Sequence, residues 1–268
     1  MRSKIMSRVA TALVGLPLLI VVIGWGRPWH FSLLVLIATA IALWEYFSMI
    51  FPSRRTERLL GILLGAVVSF GLLFPGLPDP GSWLGGVTVV ACLTYLFFGG
   101  ELRERFQSLS WTLLGIFYIG YLLPHFFVLY KVPNGREWVT WVLLVIMGGD
   151  TVSYFVGTYF GRTRLAPEIS PAKTVEGALG GTAASLIAGA IGGRVLLPWA
   201  PWPEMLLLSF VLSLLGQAGD LFESWIKRAF SVKDSGRLLP GHGGLLDRVD
   251  SLIFSVVFTV YYLRFLRL

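Results

Sequence analysis

The chain has 268 residues, of which 55% are hydrophobic and 14% are charged, and its mean hydropathy is +0.74. A soluble domain usually contains about 25% charged residues. The apolar residues also lie in blocks of roughly 16–23, the length that an α-helix needs to cross the hydrocarbon core of a bilayer. These values exclude an ordinary soluble domain and predict an all-α polytopic membrane protein.

Nine membrane spans are predicted along the chain, separated by short segments rich in Pro, Gly and Arg. The first follows a basic segment, as a signal peptide does, but no small-x-small cleavage site comes after it. The predicted spans are residues 9–24, 30–50, 59–74, 82–98, 109–130, 138–160, 176–199, 203–226 and 250–267. Residues 1–130, with five spans, are predicted to be a scaffold, and residues 131–268, with four spans, are predicted to carry the function.

The distribution of basic residues predicts the orientation of these spans. The chain has 22 Lys and Arg and 15 Asp and Glu, which gives a net charge of +7. With nine spans, 16 of the basic residues lie on the side of the N-terminus and six on the opposite side. Because basic loops tend to stay in the cytoplasm, the N-terminus is predicted to be cytoplasmic and the C-terminus to be outside.

The same composition argues against a nucleic-acid partner, an intrachain disulfide and a cysteine-rich metal site. The basic residues lie in short loops and do not form an aromatic and basic surface, so no nucleic-acid partner is predicted. Cys92 is the single cysteine, which excludes an intrachain disulfide and a cysteine-rich metal site.

Asp150 lies within the sixth predicted span, in the sequence MGGDTVSYFVGTYFG. A carboxylate inside the hydrocarbon region costs about 2.5–3.5 kcal/mol on insertion scales, so it should face protein or a wet cavity. The neighbouring glycines are expected to let another helix pack closely. Two interpretations stay open, a functional carboxylate and a buried carboxylate that is bonded to a neighbouring helix. Glu45 and His125 also lie in predicted spans, and Glu45 is interpreted as solvated or paired.

The connector SPAKTVEGALGG, residues 170–181, is predicted to meet the cytoplasmic side of the seventh span. Ser170 and Pro171 end one segment, and Thr174 with Gly177 can start the next helix. Lys173 stands where an anion could meet both its ammonium group and the free N–H groups of a helix N-terminus. The alternative is a capped helix with a solvated lysine, and no GxxxxGK[ST] motif occurs in the chain.

Residues 216–254 hold the largest group of polar side chains. On a helix, Asp220, Glu223 or Ser224, and Lys227 share one face. A loop then contains Lys233, Asp234, Arg237, His242 and several glycines, and Asp247 and Asp250 share a face at the start of the ninth span. Oxygen-only carboxylates of this kind suit Mg²⁺, and the surrounding cations suit phosphates. The alternative interpretation of this segment is an interfacial loop with salt bridges. The alternative interpretation of His242 is a hydrogen-bonded loop residue with no catalytic role.

This segment resembles the signature of the CDP-diacylglycerol synthases, also called phosphatidate cytidylyltransferases. The matching residues are Ser224, Lys227, Arg228, Lys233, Asp234, Pro240, His242, Gly243, Gly244, Asp247, Arg248 and Asp250. Every fixed position of the signature is present, and the resemblance is specific over residues 145–255. The SPAKTVEG and GDTVSYFVG segments look like two further blocks of the same family.

The resemblance implies a reaction in which CTP and phosphatidate give CDP-diacylglycerol and pyrophosphate, for phospholipid biosynthesis. It implies Mg²⁺ held by Asp220 and Asp247, with a second cation left open, and a homodimeric enzyme of the bacterial inner membrane. The expected catalytic residues are Asp150, Lys173, Lys227, Arg228, Lys233, Asp234, His242 and Asp250. The expected substrate-binding residues are Ser170, Thr174, Glu176, Ser224, Arg237, Gly243, Gly244 and Arg248. With the predicted orientation, all three sequence blocks face the cytoplasm, where CTP is found.

Two alternative functions remain open from the sequence. A cytidylyltransferase for another lipid phosphate would carry the same signature, because the signature does not select the lipid tail. An ion-coupled transporter would use Asp150 and Asp220 as coupling sites, but transporters tend to show paired broken helices from internal repeats. Release of pyrophosphate separates an enzyme from a transporter.

Overall fold

The structure is a computed structural model that describes residues 15, 17, 19–73, 80–236, 238 and 243–266. The described chain is almost entirely helical. The helices are α1 (Pro28–Ile50), α2 (Arg55–Leu73), α3 (Pro80–Leu96), α4 (Leu102–Gly115), α5 (His125–Tyr130), α6 (Gly135–Phe160), α7 (Val175–Leu196), α8 (Trp202–Ala229) and α9 (Leu246–Phe265). A π-helical segment, Ile116–Leu122, follows α4, and two strands, β1 (Arg164–Ala166) and β2 (Ser170–Thr174), lie between α6 and α7.

Six helical stretches of the described residues are long and apolar enough to cross a membrane. They are Pro28–Ile50, Arg55–Leu73, Leu102–Tyr130, Gly135–Phe160, Val175–Leu196 and Trp202–Ala229, and Gly81–Leu96 is a shorter apolar helix. The prediction of an all-α, multi-pass membrane protein is therefore confirmed in its coarse form. Eight of the nine predicted spans coincide with helices, whereas half of the first, residues 9–24, lies outside the described residues. The count of nine and the orientation stay predictions.

The described chain divides into two compact units. The first comprises the described residues up to Val128 together with those of Asp234–Asp247, and the second comprises Leu129–Lys233 and the described residues from Arg248 onwards. The segment that carries part of the predicted signature thus belongs with the N-terminal helices. The functional division at residue 130, into a scaffold and a catalytic region, stays a prediction.

The core of the first unit depends on large side chains that pack against glycines. On α1, Leu43 and Phe47 are fully buried and contact Gly65 and Gly61 of α2. Gly120, in the π-helical segment, packs directly against the backbone of Gly65. Because neither residue has a side chain, the two backbones can approach closely.

The second unit is built around the pairing of α6 with α7, where small residues lie at the contact. Gly149 of α6 packs against Ser185 of α7, whose hydroxyl donates a 2.9 Å hydrogen bond to the Val145 carbonyl. Trp141 donates from Nε1 to the Gly189 carbonyl at 2.9 Å. Small residues allow close helix packing in membranes. The expectation that the glycines beside Asp150 permit a close helix contact is confirmed.

Gly120→Ala is expected to destabilise the protein, because its Cβ would lie 2.8 Å from the Gly65 carbonyl oxygen. Backbone atoms move less easily than side chains, and overpacking of this kind costs about 1–3 kcal/mol. The measurement is the midpoint of thermal unfolding in detergent, with tryptophan fluorescence as the signal. Gly85→Ala on α3 is the matched control, because a Cβ there meets nothing within 4 Å. Equal midpoints for the two variants would contradict the packing described here.

Candidate active site

One face of α8 carries four of the polar residues that the sequence singled out. The Lys227 ammonium forms an ion pair with the Glu223 carboxylate one turn earlier. Both residues are buried, with 8% of Lys227 and 1% of Glu223 exposed. The Ser224 hydroxyl lies 3.5 Å from Asp220 Oδ1, again one turn away. The predicted helix and its shared face are therefore confirmed. These four side chains form a polar stripe on the C-terminal half of α8.

The β1–β2 hairpin brings the SPAK segment to this stripe. Lys173 Nζ, on β2, lies 2.7 Å from Asp220 Oδ2, and both side chains are partly buried. Arg228 donates from Nε to the Ile169 carbonyl at 3.1 Å, which ties the hairpin to the end of α8. The sequence predicted a connector here and missed the hairpin. Lys173 directly precedes Thr174, the N-cap of α7, and its ammonium is paired with the Asp220 carboxylate and not free in solvent. Its role toward an anion stays a prediction.

The start of α7 is held by two local contacts. Thr174 is the N-cap of the helix, and its hydroxyl accepts a hydrogen bond from the Gly177 N–H at 3.1 Å, which confirms the predicted cap. Glu176 accepts from the backbone N–H groups of Arg162 at 3.0 Å and Thr163 at 3.1 Å. The Glu176 carboxylate thereby fixes the chain where it leaves α6. Ser170 begins β2, opposite Ala166 of β1.

Asp150 on α6 accepts a 2.9 Å hydrogen bond at Oδ2 from the Ser251 hydroxyl of α9. It also lines a cavity of about 10 Å³ whose walls carry Ser153, Ser185, Ser213 and Gln217. A cavity of this size holds about one water molecule. Of the two interpretations of Asp150, the carboxylate bonded to a neighbouring helix describes what the structure contains. A functional role for Asp150 stays a prediction.

The last part of the signature segment continues into α9, and Asp247 lies in the first turn of this helix. Asp247 Oδ2 accepts hydrogen bonds from the Gly244 N–H at 2.8 Å and the Ser235 N–H at 3.1 Å. Gly243 has φ +83°, a left-handed conformation that glycine adopts without strain. Asp250, one turn later, is 6% exposed and accepts from the Ser251 N–H at 2.8 Å.

The remaining predicted site residues differ in whether they are exposed or buried. Lys233, Asp234 and Arg248 are exposed, and Gly244 is buried. Arg237 and His242 lie outside the described residues.

Glu45 is a site residue to which the sequence assigned no role. It lies on α1, is 4% exposed, and accepts hydrogen bonds from the N–H groups of Leu245 at 3.0 Å and Leu246 at 2.9 Å. The expectation that Glu45 is solvated or paired is confirmed in its second form. The available signal was an acidic residue inside an apolar span, which is the same signal that drew attention to Asp150.

The donor atoms in these segments suit Mg²⁺ better than a softer metal. No group of three or more His, Cys, Asp or Glu side chains that could enclose a metal occurs among the described residues. Mg²⁺ usually takes only one or two carboxylates, with substrate phosphates and water as further ligands. A carboxylate offers acceptor sites for about four partners, so Asp247 can bind backbone N–H groups and a cation together.

The sequence as a whole matches the model of the cytidylyltransferase family over residues 6–266. The chain belongs to this family. Three bacterial phosphatidate cytidylyltransferases illustrate the similarity. The protein from Synechocystis sp. is 34% identical, with 95% of both chains aligned, and that from Bacillus subtilis is 33% identical, with 98% of this chain and 97% of the relative aligned. The protein from Brucella abortus is 34% identical over 94% of this chain and 90% of its own. The family resemblance seen in the signature is confirmed.

Removal of Glu223 is expected to destabilise this cytidylyltransferase-family chain, because the buried Lys227 ammonium loses its ion-pair partner. Breaking a buried pair by removing one partner costs about 3–5 kcal/mol, whereas replacing both partners by apolar residues is often neutral. Glu223→Ala should therefore lower the thermal midpoint, and the double variant Glu223→Leu/Lys227→Met should recover much of the loss. A double variant as unstable as the single one would argue against the ion pair as the cause.

Proposed function

We propose that this protein transfers the cytidylyl group of CTP to phosphatidate, giving CDP-diacylglycerol and pyrophosphate for phospholipid biosynthesis. Relatives over almost the whole chain are named phosphatidate cytidylyltransferase, and all fixed positions of the signature are present. The proposed setting is a bacterial inner membrane, with the active site facing the cytoplasm and the enzyme acting as a homodimer. The bacterial relatives, the apolar helices and the placement of basic residues support the membrane and its orientation, whereas the homodimer rests on the family resemblance alone.

The observation that carries the proposal is the 2.7 Å contact between Lys173 and Asp220. It joins two segments, SPAK and the α8 face, that are far apart in sequence and that each resemble a family block. One supplies a cation suited to phosphate and the other a carboxylate suited to Mg²⁺.

The chemistry requires little acid–base assistance. A phosphate monoester has a second pKa of about 6, so most of the lipid phosphate is already dianionic at neutral pH. One of its oxygens attacks the α-phosphorus of CTP, a new P–O bond forms, and the bond to pyrophosphate breaks. The difficulty is to bring two polyanions together, so the protein's contribution is positioning and charge stabilisation.

The side chains of the site are proposed to divide this work. When bound, Mg²⁺ would neutralise charge on the triphosphate and on the leaving pyrophosphate. Asp220 and Asp247 are the residues that would hold it. The cations proposed to bind phosphates are Lys173, Lys227, Lys233, Arg237 and Arg248. Arg228 is proposed to hold the hairpin against α8 through the Ile169 carbonyl, which keeps Lys173 in place.

The reaction itself is tested with purified protein in mixed micelles that contain phosphatidate, labelled CTP and Mg²⁺. Labelled CDP-diacylglycerol is expected, together with pyrophosphate, and EDTA should abolish both because the phosphate charges are then left unneutralised. Folded protein that makes no product from phosphatidate would contradict the proposal. Product from another lipid phosphate in parallel micelles would then identify a related cytidylyltransferase, and transport without pyrophosphate release would identify a transporter.

Asp220→Ala and Asp247→Ala are each expected to reduce turnover by at least 100-fold, because each removes a proposed Mg²⁺ ligand. Loss of transition-state charge stabilisation has effects of this size. Glu168→Ala is the matched control, since this exposed carboxylate lies in the β1–β2 turn and has no proposed role. The control should keep normal turnover. Near-normal turnover in either aspartate variant, with a folded protein, would remove that residue from the metal site.

A further inference from the structure

Two carboxylates, those of Asp247 and Glu45, accept hydrogen bonds from described residues of the segment Asp234–Asp247. Asp247, within the segment, accepts from the N–H groups of Ser235 and Gly244. Glu45, on α1, accepts from the Ser235 hydroxyl at 3.3 Å and from the N–H groups of Leu245 and Leu246. Ser235 is therefore shared, because its N–H group binds one carboxylate and its hydroxyl binds the other.

Glu45 acts as a distant cap for α9. Leu246 is the first residue of this helix, and the first N–H groups of a helix have no partner within it. The negative charge of Glu45 also lies at the positive end of the helix dipole, which is a favourable interaction. A cap normally comes from the preceding few residues, whereas Glu45 is 201 residues away from Leu246 in sequence.

Two described glycines of the segment, Gly236 and Gly244, lie against the Glu45 carboxylate. A Cβ at Gly244 would lie 2.6 Å from Glu45 Oε2, and one at Gly236 would lie 2.6 Å from the Glu45 carboxyl carbon. Both contacts are too short for any real Cβ atom. Glycine at Gly236 thus leaves room for the Glu45 carboxylate, and glycine at Gly244 leaves room for both this carboxylate and the Ser235 hydroxyl.

We propose that Glu45 is a positioning residue for the reaction, which fixes the Asp247 carboxylate and the start of α9. The inference rests on the proposed function, in which Asp247 holds Mg²⁺. Glu45 does not touch the cation in this scheme. It determines the path of the backbone that presents Asp247, and partners of metal ligands commonly contribute 10–100-fold to metal affinity or activity.

Glu45→Gln is the decisive variant, because the amide keeps the shape but replaces one acceptor oxygen by a donor. A donor at that position faces another backbone N–H or the Ser235 hydroxyl. The thermal midpoint of the full chain in detergent is measured against Mg²⁺ concentration, without substrate. We expect Mg²⁺ to raise the midpoint of the wild-type protein, and Glu45→Gln to need about 10–100-fold more Mg²⁺ for the same rise. The Mg²⁺ concentration that gives half-maximal turnover should rise by the same factor.

Two further variants keep the result interpretable. Ser235→Ala removes a single hydrogen bond to Glu45 and keeps the backbone N–H of residue 235 on Asp247. The Mg²⁺ concentration needed for the same rise in midpoint should therefore increase only a few-fold. This variant also tests the inference if Glu45→Gln does not fold. Gly120→Ala is the control for stability alone. It should lower the midpoint and leave the Mg²⁺ dependence unchanged.

The inference is overturned if Glu45→Gln and Ser235→Ala keep the wild-type Mg²⁺ dependence, or if Gly120→Ala alters that dependence equally. A wild-type protein that does not respond to Mg²⁺ would overturn it as well. The proposed function is judged separately by turnover. A wild-type protein that responds to Mg²⁺ but ignores phosphatidate would contradict the proposed function and leave the role of Glu45 supported.

Discussion

A carboxylate within an apolar helix must find hydrogen-bond donors inside the protein, because lipid offers none. Glu45 finds them at the start of α9, and Asp150 finds the hydroxyl of Ser251. At the end of α8, Asp220 pairs with Lys173 of the hairpin. In each case the partner lies on a different element of the chain. The acidic residues thereby join separate segments, and the polar part of the protein is assembled by satisfying their charges.

The same pairing prepares the protein for anionic substrates. Cations and carboxylates that are already in contact have given up much of their hydration before any ligand arrives. In the proposed reaction, Lys173 would bind phosphate oxygens and Asp220 would hold the cation, and both side chains are already held in place by their contact. Lys227 is held in the same way by Glu223, and its position on a regular helix fixes where its charge is presented.

Features that depend on neighbours in sequence could be predicted, and features that depend on distant partners could not. Helix periodicity gave the α8 face, and the residue types at Thr174 and Gly177 gave the cap of α7. The strands β1 and β2 have three and five residues, too few for an alternating pattern to appear. Glu45 was visible as an acidic residue in an apolar span, but its partners lie 190–201 residues later, and no spacing rule reaches that far.

The distance between Glu45 and its partners also orders the events of biosynthesis. Glu45 leaves the ribosome long before Ser235 and Leu246 exist, and at about 5–20 residues per second the interval is on the order of 10–40 s. During that time α1 carries a carboxylate whose permanent donors are missing. The first unit includes the segment Asp234–Asp247, so its packing is completed only when nearly all of the polypeptide has been made. The environment of an early helix thus depends on the last part of the chain to be synthesised.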